Sequence, residues 1–527
     1  MMTNKLKYIL PALALLAVSC GNPAETDPVE TPGPALISTN PADGAADLTV
    51  SSLSITFAFD QSILCTAAGL DAIQVDNSAF VKESRVDGTK LVVTVGGLRR
   101  GVSYTVTIPA GTVKGYKQNQ KSSAAVTFRF SMKEPDPVDP GTGDWETAAE
   151  AVQNMGVGWN LGNTLESNSG DVNNMWIEAS TQRRPTNYEN AWGQTDATQE
   201  LIHMFKEAGF NAIRVPVTWY PHMGNFTSTL SGTYWNKDAW LQSTDYAVDP
   251  VWMARVKEVV GYVIDEGMYC ILNVHHDTGS ATTEEGALTA AWLRAEWDTY
   301  GAVKDRYCAL WKQIATEFES FGPQLLFESF NEMLARGNDG KSIWNYASAE
   351  ADQVINAYNA DFVATVRATG GNNAKRNLVL NTYAASPDER VLKDFALPQD
   401  SVPGHLIAEV HSYAPYRFAF NSEWSQKVFD DACDKEVRDI VDGLYQHLVA
   451  NGIPCIIGEY GADASDRDES QLCKQATAYV SQATKYSIAC FYWMTLCDGK
   501  EDRAAPRWTK PTLRDAILKA YQDNKNQ

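Results

Sequence analysis

The feature that most constrains the fold is a regular alternation of short apolar runs and amphipathic stretches between residues 145 and 527. Eight runs have the length and character of buried strands: 156–163, 212–219, 269–276, 325–332, 378–383, 406–413, 455–461 and 487–495. Helix-like amphipathic stretches separate them, for example 198–208, 252–266, 307–321, 349–369 and 434–451. Strict alternation predicts an α/β fold, a (β/α)8 barrel over 145–527, whose C-terminal strand ends carry the chemistry.

The sequence pattern of residues 35–132 is different and is typical of an all-β domain. Apolar and polar residues alternate at 54–60, 90–95, 103–108 and 125–130, with turn residues between them. The segment 40–48, Asn-Pro-Ala-Asp-Gly-Ala-Ala-Asp-Leu, resembles the start of a bacterial immunoglobulin-like domain, which implies a β-sandwich. Because the sequence shows no row of Trp or Tyr suited to an exposed platform, we favour a spacer over a carbohydrate-binding module.

The N-terminus has the pattern of an export signal. Lys5 and Lys7 precede an apolar run at 8–18 that is too short to span a membrane. The following Ser19-Cys20-Gly21 resembles a bacterial lipoprotein cleavage site, although Ala17 stands where a larger aliphatic residue is commoner. The resemblance implies a signal peptide at 1–20 and a lipidated Cys20 anchored in the outer leaflet of a bacterial membrane, at the outer membrane or cell surface. Ordinary secretion is the alternative.

Two Pro-rich acidic segments, 21–34 and 133–144, have the composition of a tether and a linker. The net charge of -21 and the absence of basic clusters exclude nucleic acid as a partner. The acidity suits an extracytoplasmic protein acting on neutral substrates, but solubility explains it equally well. Apolar runs contain three cysteines that we expect to be buried thiols: Cys270, Cys455 and Cys490. Pairing is left open for three others: Cys433, Cys473 and Cys497.

Two of the predicted strands end in glutamate. The run 325–333, Leu-Leu-Phe-Glu-Ser-Phe-Asn-Glu-Met, ends at Asn331 and Glu332, and the run 455–461 contains Glu459. Burying a carboxylate without a partner is costly, so such groups need a polar network or a chemical task. Two glutamates at strand ends of one barrel are the pair of carboxyl groups that a glycosidase needs for catalysis.

Alternation along a strand predicts which side chains face the barrel axis. If Glu332 points inward, so do the following residues on strands two, three, four, six and seven: Arg214, Asn273, His275, Glu328, Glu409, His411, Tyr413 and Glu459. A purely structural hydrogen-bond network is the alternative, and we prefer it for the deeper Glu328 and Glu409.

Several motifs together resemble glycoside hydrolase family 5. They are Phe-Asn-Glu at 330–332, Ile-Gly-Glu-Tyr-Gly at 457–461, His-Ser-Tyr at 411–413, Asn-Ala-Ile-Arg-Val-Pro-Val-Thr-Trp at 211–219, Asn-Val-His-His-Asp at 273–277 and Trp493. The segment 158–165, Gly-Trp-Asn-Leu-Gly-Asn-Thr-Leu, resembles subfamily 4, which contains endoglucanases and xyloglucanases. Two departures are Glu166, where Asp is commoner, and the tail of strand eight at 494–498.

The resemblance implies that Glu332 is the general acid/base and Glu459 the nucleophile. Retaining hydrolysis needs two carboxyl groups about 5–5.5 Å apart. Arg214 and Tyr413 are suited to keeping Glu459 ionised. Glu332 must hold a proton near neutral pH, which burial and the charge of Glu459 would favour.

Further substrate contacts follow from the same resemblance. Asn331 would bond the 2-hydroxyl of the cleaved sugar, His275 would position that sugar and His411 would assist the acid/base. Trp493 would supply a stacking floor. Asn163 in the first loop is a further contact, and His276 one only if the loop turns it toward the cleft. Six aromatic residues are candidates for the outer cleft or for packing: Trp192, Trp219, Tyr220, Trp297, Tyr416 and Trp424.

We predict no metal or other cofactor, because adjacent strand residues His275 and His276 should face opposite sides and cannot easily share an ion. No Gly-x-Ser-x-Gly turn supports serine catalysis. The predicted function is a retaining endo-β-1,4-glucanase acting, as a monomer, on plant β-glucan polysaccharide. One alternative is a hydrolase specific for xyloglucan or mixed-linkage glucan. Another is a surface lipoprotein that binds glycan without cutting it.

Overall fold

The structure, a computed structural model, describes residues 32–133 and 145–526 except 49, 51, 78, 97, 99, 100, 117–120, 182–184, 280–289 and 421–424. The predicted signal peptide with Cys20, most of the tether and nearly all of the linker lie outside these residues. Within the described ranges, no helix combines the length and apolar character needed to cross a bilayer.

The N-terminal domain is a β-sandwich, as predicted. Its strands are β1 (Leu36–Asn40), β2 (Ala45–Leu48), β3 (Leu53–Phe59), β4 (Ile63–Leu64), β5 (Gln74–Val75), β6 (Phe80–Asp87), β7 (Lys90–Gly96), β8 (Ser103–Ile108), β9 (Lys114–Gly115) and β10 (Val126–Met132), with one short helix, α1 (Ala67–Asp71). One sheet has the order β1-β3-β7-β6 and the other β2-β10-β8-β5. Alternate residues such as Phe57, Val93 and Phe128 are fully buried between the sheets.

The second domain is a closed barrel of eight parallel strands, which confirms the predicted fold. In barrel order the strands are β11 (Val157–Asn160), β12 (Ala212–Val215), β15 (Tyr269–Asn273), β16 (Leu325–Glu328), β17 (Leu378–Asn381), β18 (Leu406–Ser412), β19 (Cys455–Tyr460) and β20 (Ala489–Trp493). A small hairpin, β13 (Leu230–Ser231) and β14 (Tyr234–Trp235), follows β12. Each barrel strand ends one to four residues earlier than predicted, because the backbone leaves the ladder where the polar motifs begin.

Helices surround the barrel and fill its connections. They are α2 (Ala148–Met155), α3 (Trp176–Ser180), α4 (Pro185–Glu189), α5 (Gln199–Ala208), α6 (Lys237–Gln242), α7 (Pro250–Asp265), α8 (Trp297–Glu317), α9 (Ala349–Ala368), α10 (Glu389–Asp394), α11 (Tyr416–Ala419), α12 (Asp431–His447), α13 (Glu469–Lys485), α14 (Lys500–Ala504) and α15 (Pro511–Asn524). A capping box between Thr147 and Glu150 begins α2, and Gly209 at φ 108° ends α5.

The barrel interior has an apolar lower layer and a polar upper layer. Five inward residues of the lower layer are Ala212, Ile271, Leu326, Val379 and Ile407, and α2 closes this layer with Met155. Two residues further along the same five strands stand Arg214, Asn273, Glu328, Asn381 and Glu409, all fully buried. Because side chains two apart share a face of a strand, the apolar layer supports the polar layer directly beneath the catalytic end.

All eight cysteines in the described residues are free thiols. Cys270, Cys455 and Cys490 are buried in barrel strands, as expected. The possible pairing of Cys433, Cys473 and Cys497 does not occur in the structure.

Candidate active site

Arg214 is the centre of the polar layer. Its guanidinium donates two hydrogen bonds to Glu328, at 2.7 and 2.8 Å, in a bidentate pair. Nη1 also donates to Glu459 Oε1 at 2.7 Å, and Nη2 donates to Asn331 Oδ1 at 2.9 Å. Burial opposes the charge of Arg214, but the negative charges of Glu328, Glu409 and Glu459 raise its pKa well above the usual value. Arg214 is therefore a permanent buried cation that fixes one glutamate from β19 and one amide beyond β16.

The two predicted catalytic glutamates meet at the mouth of the barrel. Glu332, Glu459 and His411 each offer one oxygen or nitrogen atom, and these three atoms all lie within 4.8 Å of one another. The Glu459 side chain is 6% exposed and that of Glu332 is 23% exposed. The separation suits direct attack on a sugar rather than insertion of a water molecule, which needs about 6.5–9.5 Å. Burial of Glu332 is thus only partial, less than the sequence led us to expect.

Glu459 is held in its ionised form. One carboxylate oxygen accepts from Arg214, and the other accepts from the Tyr413 hydroxyl at 2.7 Å. Burial works against the charge, but protonated His411, Arg214 and the Tyr413 hydrogen bond outweigh it and lower the pKa of Glu459. A carboxylate that stays ionised and points at the cleft is a competent nucleophile.

His411 links the two glutamates. Its Nδ1 lies 2.9 Å from Glu332 Oε1 and 3.6 Å from Glu459 Oε2. Nε2 lies 3.4 Å from Glu409 Oε1, a charge contact without good hydrogen-bond alignment. Burial opposes protonation, but the charge of Glu459, the hydrogen bond to Glu332 and the contact with Glu409 raise the pKa of His411 to about 10. The site therefore contains a second cation beside Arg214.

His275 and His276 correct one expectation. Their ring centroids are 4.5 Å apart with the planes at 82°, so the two side chains do not face opposite sides. The reason is that β15 ends at Asn273, and strand alternation no longer applies two residues later. His275 lies parallel to Trp493 at 5.9 Å, and the charge of Glu459 acts on His276. Burial lowers the pKa of both rings, that of His276 to about 4, so both are neutral.

The loop after β11 supports the Trp493 side of the cleft. A side chain at Gly162 would come within 3.0 Å of the Trp493 ring, so this loop passes directly against it. Asn163 follows in the left-handed conformation at φ 60°. The carboxylate of Glu166, the residue that departs from the family pattern, accepts backbone N–H bonds from Asn163 and Thr164. Glu166 thus shapes the turn, and burial raises its pKa to about 7.

The tail of strand eight, the other departure, is tied to the same loop. Met494 has φ 50°, and its carbonyl accepts from the Trp159 indole at 2.6 Å. Arg503 donates to the carbonyls of Gly162 and Cys497, both at 2.8 Å. The Trp493 ring is therefore held between two restrained segments.

Sequence reasoning overlooked two polar residues of this layer. Asn160 at the end of β11 accepts from Arg214 Nη1 at 3.0 Å and donates to the Gly458 carbonyl at 2.9 Å. Asn381 at the end of β17 donates to Glu328 and Glu409, both at 3.2 Å. Each is an amide at the end of an apolar run with the same parity as the predicted residues, a signal that could have identified them.

The outer aromatic candidates separate into two groups. Trp219 and Tyr220 are fully buried, and Trp192 is partly buried with its ring 5.5 Å from His276. Trp297 and Tyr416 are 42% and 54% exposed, so they remain candidates for sugar contacts. Trp424 lies outside the described residues.

Only one group of potential metal ligands occurs in the described part of the chain, namely Glu332, His411 and Glu459. Protonated His411 has no lone pair to offer a metal ion, and Arg214 donates to Glu459, so these residues are poorly suited to a metal. Absence of a metal stays a prediction.

Comparison with known proteins agrees with this geometry. Residues 171–497 match the model of the cellulase family, glycosyl hydrolase family 5, and residues 30–132 match that of a bacterial Ig-like domain. The chain belongs to glycoside hydrolase family 5. It is therefore a hydrolase of the cellulase type that cleaves β-1,4-glucosidic bonds. Endoglucanase A of Ruminococcus albus is 33% identical over 382 residues, which are 71% of this chain and 92% of that protein.

Solved structures of family 5 enzymes are also similar. One, from Prevotella bryantii, was determined with a xyloglucan tetradecasaccharide; it is 37% identical with a TM-score of 0.61 and covers 72% of this chain and 100% of its own. Another, a broad-specificity endoglucanase from Ruminococcus champanellensis with bound cellotriose, is 35% identical with a TM-score of 0.61 and covers 72% of this chain and 99% of its own.

Proposed function

We propose that this family 5 chain is an endo-β-1,4-glucanase of broad glucan specificity, with Glu459 as nucleophile and Glu332 as general acid/base. The observation that carries the proposal is the approach of these two carboxyl groups, within 4.8 Å, at the open end of the barrel. A barrel that only captured glycan would not need one carboxylate held ionised by Arg214 and Tyr413 and a second one facing it across the site.

The first step breaks the glycosidic bond. An oxygen of Glu459 attacks the anomeric carbon as the bond to the leaving oxygen breaks, and Glu332 gives its proton to that oxygen. His411 Nδ1 is hydrogen-bonded to Glu332 Oε1, so the proton that Glu332 gives to the leaving oxygen is carried on Glu332 Oε2.

The second step releases the sugar. Glu332, now a carboxylate, takes a proton from water, whose oxygen bonds to the anomeric carbon as the ester bond to Glu459 breaks. Two inversions at the same carbon restore the original configuration. Glu459 is then a carboxylate again, and the hydrogen bonds from Arg214 and Tyr413 stabilise its negative charge.

The neighbouring residues position the sugar being cleaved. Arg214 occupies the Asn331 carbonyl oxygen, which leaves the Asn331 amide nitrogen as a donor to the 2-hydroxyl. Trp493, parallel to neutral His275, offers an apolar face for the sugar ring. Two further proposed contacts are Asn163, which follows the Gly162 that lies against Trp493, and His276, on which the charge of Glu459 acts.

We expect soluble cellulose derivative, barley glucan and xyloglucan to be hydrolysed with kcat/KM values within about tenfold of one another, because the site reads the shared β-1,4-glucosyl backbone. Xylan and mannan should be cut at least about tenfold less efficiently. Reducing-end kinetics on the panel, with NMR of the first-formed anomer, would check this. Activity on xyloglucan alone would favour the specific alternative, and first formation of the α-anomer would exclude retention.

We also propose that the enzyme is a lipoprotein anchored through Cys20, facing outward from a bacterial membrane. Support comes from the charged, apolar and small-residue order of residues 1–21. Wild-type chain expressed in a bacterial host should incorporate labelled palmitate and sediment with membranes, whereas Cys20→Ala should do neither. Serine at the cysteines of the barrel, such as Cys473→Ser, should leave both unchanged. Soluble, unlabelled wild-type enzyme would support ordinary secretion instead.

A further inference from the structure

Several positively charged side chains line a second pocket beside the catalytic face. It has a volume of about 630 Å3, and its lining includes Tyr234, Lys237, Asp238, Trp292, Arg294 and Arg336. These residues belong to the segments that follow β12, β15 and β16, so the pocket opens among the loops of the catalytic end. We refer to it as the cationic pocket. Three cations in one cavity are unusual in a chain with a net charge of -21.

The positive charge of the cationic pocket is incompletely balanced. Arg336 pairs with Glu296 at 2.9 Å, but Arg294 is only 7% exposed and its buried Nη1 has no hydrogen-bond partner among the described residues. Lys237 donates to the Ala291 carbonyl at 2.7 Å. Burying a charged donor without an acceptor is unfavourable, so an anion would stabilise this arrangement.

The electrostatics of Lys237 would favour a bound anion. Burial, followed by the positive charges of Arg294 and Arg336, lowers the pKa of Lys237 to about 7, against a smaller opposing effect of Asp238. Burial also lowers the pKa of Arg294 to about 10, with the charge of Arg336 acting the same way and that of Glu296 opposing it. The groups facing Lys237 thus repel its charge more than they attract it.

The shape of the cationic pocket points to a sugar acid rather than a small inorganic ion. Its volume lies within the roughly 300–1,000 Å3 typical of organic ligand sites. Tyr234 is 50% exposed at its edge and can stack on a sugar face, while Asn173 and Asn236 can bond hydroxyl groups. Phosphate or sulfate would use the cations but neither the aromatic ring nor most of the space.

Connections to the active site place the cationic pocket close to the cleft. The Trp292 indole donates to Asp277 Oδ1 at 2.7 Å, directly beyond His276. Arg336 follows Glu332 by four residues, so their Cα atoms can be at most about 14 Å apart. We propose that the cationic pocket binds the carboxylate of a uronic acid unit carried by the polysaccharide near the bond being cut. The glycan context rests on the proposed function, but binding in the pocket does not.

The test is binding of methyl β-glucuronide to the full chain, measured by calorimetry at pH 6, with methyl β-glucoside and inorganic phosphate as comparison ligands. Lys237→Met should weaken glucuronide binding about tenfold or more. Arg336→Met, at an exposed position, should do the same even if the first variant does not fold. Lys435→Met makes the same charge change on exposed α12 and should leave binding unchanged.

A pH series separates charge recognition from a structural effect. A bound carboxylate raises the pKa of Lys237, so affinity should be highest below pH 7 and should fall as pH rises above 7. Lys237→Met should remove most of this pH dependence. Equal binding of glucoside and glucuronide would overturn the proposal, as would tighter binding of phosphate or no glucuronide binding at all. Hydrolysis of unsubstituted barley glucan should be unchanged in all three variants, which keeps failure of the pocket distinct from failure of the enzyme.

Discussion

Replacement of Glu459 by Ala should lower kcat/KM on soluble β-glucan by a factor on the order of 10⁴ or more. The variant lacks the oxygen that bonds to the anomeric carbon, and no other carboxylate takes its place, because Glu409 and Glu328 lie below it in contact with Arg214. Release of reducing ends from barley glucan measures the loss directly.

The Ala variant also removes an acceptor from two buried donors, Arg214 Nη1 and the Tyr413 hydroxyl. Glu459→Gln keeps an acceptor oxygen and the side-chain shape, so it separates loss of the nucleophile from loss of folding. Both variants should be inactive. The thermal unfolding midpoint of Glu459→Gln should be close to that of the wild type. Glu501→Ala, at a 92% exposed side chain, is the matched control and should be fully active. Wild-type rates in Glu459→Gln would disprove the assignment.

Azide gives a stereochemical check on the same residue. With a dinitrophenyl β-cellobioside, whose leaving group needs no proton, azide can enter the space vacated in Glu459→Ala and attack from the same face. The product should be an α-glycosyl azide, identified by NMR. Formation of the β-azide instead would mean that a covalent intermediate still forms and that another residue is the nucleophile.

The barrel was predictable because its sequence pattern depends on the burial of neighbouring residues along each strand and helix. Buried parallel strands read as continuous apolar runs, and their alternation with helices leaves few architectures. The same parity rule correctly located the inward Arg214, Glu328 and Glu409, since each lies within a regular strand. It failed for His275 and His276, which follow the end of β15, where the backbone no longer alternates.

Other features of the site depend on contacts that no local pattern encodes. The backbone at Met494 depends on Trp159, which is 335 residues distant. Gly458 is needed because a side chain there would collide with Glu409, the neighbour on β18. The cationic pocket likewise combines four separate loops, so no local sequence pattern predicts it.

A change at Glu332 should produce a different signature from a change at Glu459. Glu332→Ala should lower kcat/KM on β-glucan by about 10²–10⁴-fold, because the departing sugar hydroxyl is a poor leaving group without a proton. With dinitrophenyl β-cellobioside the first step needs no acid and should remain near the wild-type rate. Release of the intermediate still needs Glu332 as a base, so stopped-flow traces should show a burst of dinitrophenol followed by slow turnover.

The position of Glu332 also determines how the variant can be rescued. The shortened side chain opens space beside His411, on the face opposite the bond to Glu459, and a small anion that needs no general base can enter there. Azide should therefore accelerate the slow phase at least about tenfold and yield the β-glycosyl azide, the opposite anomer from that expected for Glu459→Ala. Glu332→Gln should behave like the Ala variant toward β-glucan but resist rescue, since its amide fills the space. Absence of a burst, or an α-azide product, would mean that Glu332 is not the acid/base, whereas opposite anomers from the two variants would assign both glutamates independently of any relative.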